Sequence, residues 1–219
     1  MEPELLGEYL PVFARAAWLT LWVGLTGIVC AVVVGLACAV VQHFRVPFAR
    51  QLVSAYIELS RNTPLVVQLF FLYFGLPKLG IVLSSATCAI VGLAFLGGSY
   101  MAEAIRSGLE AVDDGQSQSA LALGLSRGLT LRHVVLPQAV ALAMPAFTAN
   151  IIFLIKETSV VSIVALPDLM YVAKDLIGTD YNTREALTLL VAFYLVILLP
   201  ISLGAGKLEK KVRYAAFGS

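Results

Sequence analysis

Charge is what this chain has least of. Only 13% of its 219 residues are Asp, Glu, Lys or Arg. A soluble domain of this length needs roughly 25% to cover its surface, so a mainly water-facing protein is excluded. Histidine is nearly absent: His43 and His133 are the only two, both beside loops. That pattern argues against histidine-based catalysis or metal binding. The three cysteines, Cys30, Cys38 and Cys88, sit in apolar runs without a CxxC pair, and read as small packing residues. The net charge of +1 comes with no basic stripe, which removes the case for nucleic acid. No GxxxxGK[ST] phosphate loop is present, so the chain has no nucleotide site of that type. No internal repeat, linker or low-complexity segment interrupts it. The acidic N-terminus MEPELLGEYLP argues against a cleavable signal peptide, which opens on Lys or Arg.

Apolar sequence fills the space. Of all residues 59% are hydrophobic and mean hydropathy is +0.89. Five apolar runs stand out, at about residues 16–41, 52–74, 81–105, 134–166 and 186–205. Each is long enough to cross a hydrocarbon core ~30 Å thick as a helix. Alternating strands of ~10 residues, the mark of a membrane barrel, are missing. The expected fold is an all-α integral membrane protein, one domain over residues 1–219, with about five transmembrane helices.

Lys and Arg set the orientation. One set of connections carries Arg45 and Arg50, then Arg106, Arg127 and Arg132, then the tail Lys207, Lys210, Lys211 and Arg213. The other carries Lys78, Lys174 and Arg184 beside Asp168, Asp175, Asp180 and Glu185. The first set is the more positive and is expected in the cytoplasm. The N-terminus is then outside and the C-terminus inside. So few helices leave little room for a full solute pathway, so a second membrane subunit, identical or related, is expected.

A polar, basic connection of about residues 112–137 lies between the third and fourth runs. Residues 116–137 read QSQSALALGLSRGLTLRHVVLP. Its leucines and alanines favour helix, and Gly124 or Gly128 suits a turn between two short helices. Such an element on the membrane surface can seat in a groove of a soluble partner, or can be an ordinary interfacial helix snorkelling Arg127 and Arg132.

Ionisable groups inside spans are costly and are functional candidates. Tyr100, Glu103 and Arg106 recur every three residues on one helix face. There Glu103 suits an ammonium and Arg106 a carboxylate; an intrahelical ion pair is the alternative. Lys156, Glu157, Thr158 and Ser159 form a second cluster. Adjacent helical residues diverge by ~100°, so Lys156 and Glu157 do not face one point. Gln68 interrupts the second run and suits either substrate or a neighbouring helix. Glu58 and Arg61 read as interfacial anchors, Asn150 as a packing residue, and Pro64 and Pro145 as kink or hinge points. The residues alone leave open a stand-alone secondary transporter, which would carry internal repeats, or a purely structural membrane subunit. No nucleophile or metal constellation supports an intramembrane enzyme.

The 116–137 segment resembles the cytoplasmic coupling loop of ATP-binding-cassette importer permeases. That loop reads Glu-Ala-Ala, three residues, Gly, nine residues, then aliphatic-x-Leu-Pro. Here Gln118-Ser119-Ala120 takes the first place, Gly124 follows after three residues, and Val134 to Leu136-Pro137 closes it. Gln118 replaces the acidic residue and Ser119 the first alanine. Residues 58–77 (ELSRNTPLVVQLFFLYFGLP), 99–109 (SYMAEAIRSGL) and 154–168 (LIKETSVVSIVALPD) are similar to patterns of the polar-amino-acid subfamily. The resemblance covers about residues 16–213. It implies a permease subunit, not itself an enzyme, in a bacterial inner membrane. It implies a second permease, two ATP-binding subunits that hold the ATP and magnesium, and an extracytoplasmic binding protein delivering a polar amino acid. Gln118, Ser119, Ala120, Gly124, Leu136 and Pro137 would couple the chain to the ATPases.

Overall fold

The computed structural model describes residues 3–44 and 47–218; Arg45, one of the charges used for orientation, lies outside them. Nine α-helices make up the described chain, with no strand among the described residues. They are α1 (Pro3–His43), α2 (Ala49–Arg61), α3 (Leu65–Phe70), α4 (Ser85–Glu110), α5 (Asp114–Ala122), α6 (Arg127–Thr130), α7 (Leu136–Glu157), α8 (Leu169–Thr179) and α9 (Thr183–Phe217). A π turn (Phe71–Gly75) and a 3₁₀ turn (Leu76–Leu79) prolong α3. A π turn (Leu131–Val135) leads into α7, and a 3₁₀ segment (Thr158–Val164) leaves it.

Four helical stretches are long and apolar enough to cross a membrane: Gly7–His43, Ser85–Glu110, Arg127–Val164 and Thr183–Phe217. A shorter apolar stretch, Leu65–Leu79, joins them. The all-α membrane fold expected from the five runs is therefore present, with one difference. The second run is not one helix. Pro64 has no N–H to continue α2 and forces the residue before it out of the helical region. Polar side chains add hydrogen bonds to the carbonyls around this break. Asn62 Nδ2 donates to Glu58 O at 2.7 Å, Thr63 Oγ1 to Leu59 O at 2.8 Å, and Gln68 Nε2 to Ser60 O at 3.2 Å and Thr63 O at 3.0 Å. The broken run leaves α2 amphipathic and gives α3 with its extension only about 22 Å of length.

The core forms where α1, α4 and α7 pack together. Leu93, Met101 and Leu154 are fully buried there. Lipid offers no hydrophobic drive for helix association, so close packing of small residues must supply it. Gly97 of α4 shows how tight this is. A Cβ built there would stand 2.7 Å from Ala31 Cβ on α1 and 2.6 Å from Leu154 Cδ1 on α7. Helix α8 had no counterpart among the apolar runs. It packs on α9 and α1 through buried Leu169, Ala173 and Leu176.

Candidate functional site

The break between α2 and α3 brings α2 against α4 at the level of Tyr100, Glu103 and Arg106. Ser60 and Tyr56 anchor the contact, their hydroxyls donating to Phe95 O at 2.9 and 2.7 Å. Ser99 Oγ lies 3.0 Å from the same Ser60 hydroxyl and competes with Phe95 O for its single proton. Phe95 O thus takes two side-chain donors. This seating aims Arg61 inward. Its Cζ lies 5.4 Å from the centroid of the Tyr100 ring, within cation–π range. Its Nη1 is 3.9 Å from Glu103 Oε2.

Arg106 forms the ion pair its spacing permits. It donates through Nε to Glu103 Oε2 at 3.2 Å and through Nη2 to Glu103 Oε1. Its Nη1 donates to Glu110 Oε2. Two carboxylates therefore engage one guanidinium. Arg61 makes only the longer contact with Glu103 and is the less committed cation.

These groups line a cavity of about 520 Å³, walled by Glu58, Arg61, Asn62, Tyr100, Glu103 and Arg106 among others. Two acidic and two basic side chains line it, so their formal charges cancel. A neighbouring cavity of about 360 Å³ shares Arg61, Asn62 and Tyr100 and reaches Phe153 and Glu157. Phe153 packs against Tyr100 with ring centroids 5.4 Å apart, and Asn150 Nδ2 donates to Tyr100 O at 3.2 Å, linking α7 to α4.

The two candidate clusters are sorted by this geometry. Tyr100, Glu103, Arg106 and Glu157 come together around adjoining cavities. Lys156 does not join them: it is exposed, one residue and ~100° away from Glu157. Thr158 is buried and donates to Ile155 O at 2.6 Å. Ser159 is half-buried, and its carbonyl accepts from Ser162 Oγ at 3.3 Å. Gln68 lines neither of the two cavities; its amide N–H groups are used at the α2–α3 break. Arg61 and Glu58, read as interfacial anchors, line the first cavity instead. The hint for Arg61 was the Asn-Thr-Pro that follows it, since a chain break turns the end of α2 towards α4.

The connection between α4 and α7 is the second site. Asp113 caps α5, its Oδ1 accepting from Gly115 N at 2.7 Å. Gly124 ends the turn with φ +87°. Leu125 N donates to Ala120 O at 3.2 Å and Gly124 N to Leu121 O at 3.0 Å. These paired bonds close a helix C-terminus with a left-handed glycine. Of the two glycines, Gly124 is the one that turns, while Gly128 lies inside α6. Ala120 is buried and anchors the element, while Gln118 and Ser119 are exposed. Leu123 is 82% exposed, an apolar tip on a polar loop. Leu136 and Pro137 follow directly on the Leu131–Val135 π turn, inside the continuous helical stretch Arg127–Val164.

Known proteins agree with this architecture. Residues 31–214 match the family described as the binding-protein-dependent transport system inner membrane component. The probable glutamine ABC transporter permease protein GlnP of Bacillus subtilis (strain 168) is 33% identical over 213 residues, covering 94% of this chain and 98% of that protein. The glutamine transport system permease protein GlnP of Escherichia coli (strain K12) is 31% identical over 206 residues, covering 93% and 94%. A crystal structure of an amino acid ABC transporter with histidines superposes with a TM-score of 0.90 at 30% identity, over 96% of this chain and 99% of that one. An inward-facing MetNI methionine ABC transporter, 21% identical with a TM-score of 0.78, shares the fold. The chain therefore belongs to the family of binding-protein-dependent transport system inner membrane components.

Proposed function

We propose that this permease subunit carries a polar amino acid through the membrane at the Arg61–Tyr100–Glu103 cavity. The observation that carries the reading is the charge-balanced cavity beside Glu157. A zwitterion brings one carboxylate and one ammonium. The Arg61 guanidinium offers a fork for the carboxylate, and Glu103 and Glu157 offer acceptors for the ammonium. Arg106 holds Glu103 in place. This shifts the carboxylate-binding role from Arg106, where spacing alone put it, to Arg61. Relatives named for glutamine and other amino acids support a substrate of this class.

The pathway is completed by a second permease of the same kind. Two ATP-binding subunits dock on the α5–α6 elements of the pair, with Gln118, Ser119 and Ala120, the Gly124 turn and the Leu136–Pro137 entry to α7 as the lever. An extracytoplasmic binding protein delivers the solute. The chain acts as one membrane domain in a bacterial inner membrane, N-terminus outside and C-terminus in the cytoplasm. ATP and magnesium stay with the partner subunits.

Purification from the native host in mild detergent, with mass spectrometry of what stays bound, tests this. An ATP-binding subunit recovered at about one per permease is the expected result. Recovery of the chain alone, moving solute in vesicles without ATP, overturns it in favour of a secondary transporter.

A further inference from the structure

Helix α7 does not end at the membrane boundary in a cap. It passes into the 3₁₀ segment Thr158–Val164, which stops at Ala165 with φ 56°. A left-handed alanine is strained and persists only where its surroundings hold it. A 3₁₀ stretch continuing a helix marks a hinge or a sequence under strain. The segment also begins next to Glu157, which lines the smaller cavity. Movement of this hinge moves a cavity wall.

Three residues beyond Ala165 stands Asp168. It is 1% exposed. Its Oδ1 caps α8 by accepting from Tyr171 N at 2.9 Å. Its Oδ2 is buried with no hydrogen-bond partner among the described residues, and neither has the buried Tyr194 hydroxyl of α9. Tyr194 stands near enough to feel the Asp168 charge. One contact ties the hinge to α8, one holds the hinge to itself, and one holds the start of α8 to α1. Lys174 Nζ of α8 donates to Ser162 Oγ of the hinge at 3.2 Å. Ser162 Oγ donates to Ser159 O, within the hinge itself. Leu169 N, adjacent to Asp168, donates to Thr20 Oγ1 of α1 at 3.2 Å.

We propose that Asp168 is a proton-operated latch on the Thr158–Ala165 hinge. With a proton from bulk water on Oδ2, the carboxyl is uncharged in its buried place and the hinge is held. Ionised, it is a buried charge with one oxygen unpaired, which is costly. The groups that face it decide the response. Lys174 on α8 is the cation whose charge acts on it, and an ammonium drawn towards Asp168 gives up Ser162. The α9 phenol of Tyr194 and the hydroxyls of Ser162, Thr158 and Thr20 bring no countercharge. Ionisation therefore trades the Lys174–Ser162 tie for a Lys174–Asp168 pair and loosens the hinge. Burial pushes the Asp168 carboxyl up to about 6, which places the change near neutral pH. The latch is independent of which solute the chain carries.

The test uses the full chain in lipid nanodiscs, as wild type, Asp168→Asn and Asp168→Glu. Infrared difference spectra between pH 5 and pH 8 read the protonated carboxyl, and hydrogen exchange, corrected for the chemical rate, reads residues 158–168. In the wild type a carboxyl band is lost with a midpoint near pH 6, and exchange in the hinge rises about tenfold with the same midpoint. Asp168→Asn, which caps as well as Asp, lacks the band and stays slow at both pH values. Asp168→Glu keeps a band but moves its midpoint. If the wild type shows no such midpoint, or if Asp168→Asn keeps both changes, the latch is wrong. Should Asp168→Asn fail to fold, a midpoint that is identical in wild type and Asp168→Glu overturns it equally.

Discussion

The Arg61 guanidinium stands 3.9 Å from Glu103 Oε2, bridging the end of α2 and the middle of α4. The two residues are 42 positions apart, and only the α2–α3 break lets them meet. Arg61→Ala is expected to weaken amino-acid binding by about tenfold to a hundredfold, the range of a lost charge-assisted pair. Arg61→Lys keeps the charge but loses the fork, and recovers part of the affinity. Binding to the assembled transporter in nanodiscs measures this, and an unchanged affinity in Arg61→Ala moves the carboxylate site elsewhere.

Gly124 holds the connection between α5 and α6 in its turn at φ +87°. Proline fixes φ near −65° and cannot adopt it. Gly124→Pro is expected to unseat α5 from α6 and to separate ATP hydrolysis from transport in proteoliposomes, while α1, α4 and α7 keep their packing. Coupled transport at the wild-type rate would show that the loop is not the lever.

Gln68 holds the chain break together and lines neither of the two cavities beside Arg61. Gln68→Leu leaves the Thr63 carbonyl without its side-chain donor and the Ser60 carbonyl with only the 3.4 Å bond from Thr63 N, at a cost of about 1–3 kcal/mol. A lower melting temperature in nanodiscs is the expected result, with substrate affinity in the folded fraction nearly unchanged. A selective loss of affinity would return Gln68 to the substrate site.

Gly97 lies between α1 and α7 with no room for a side chain. Gly97→Val is expected to push apart the three-helix contact and cost roughly 1–3 kcal/mol. Thermal unfolding followed by tryptophan fluorescence reports it, since Trp18 and Trp22 both sit on α1.

Asp168 makes stability depend on pH with a defined sign. Its folded carboxyl titrates at about 6 against an ordinary 3.8. The folded chain holds a proton that the unfolded chain releases. The stabilisation is complete below about pH 3.8 and is lost as pH rises through 6. At neutral pH the loss is on the order of 3 kcal/mol. Asp168→Asn removes this dependence, so its melting temperature exceeds that of the wild type at pH 8 and converges on it towards pH 4. Parallel curves for the two proteins would exclude a buried, titrating Asp168.

Periodicity exposed the stripe Tyr100, Glu103 and Arg106, because three-residue spacing fixes one helical face wherever the helix lies. The Gly124 turn was legible for a similar reason, since its backbone conformation is a local property of glycine. Lys156 to Ser159 was harder. Consecutive residues point to different sides, and nothing local says which side faces the cavity. Only packing turned Glu157 inward and left Lys156 exposed.

The amino-acid sequence determined the membrane class, the positions of the long helices and the punctuation of the α5–α6 connection. Apolar length and glycine or proline chemistry act within a few turns of chain. The tertiary structure decided that the second apolar run breaks, that Arg61 rather than Arg106 is the freer cation, and that Asp168 is buried with an oxygen unpaired. Each of those depends on contacts between residues tens of positions apart, where burial and pairing are properties of the assembled helices and not of any one of them.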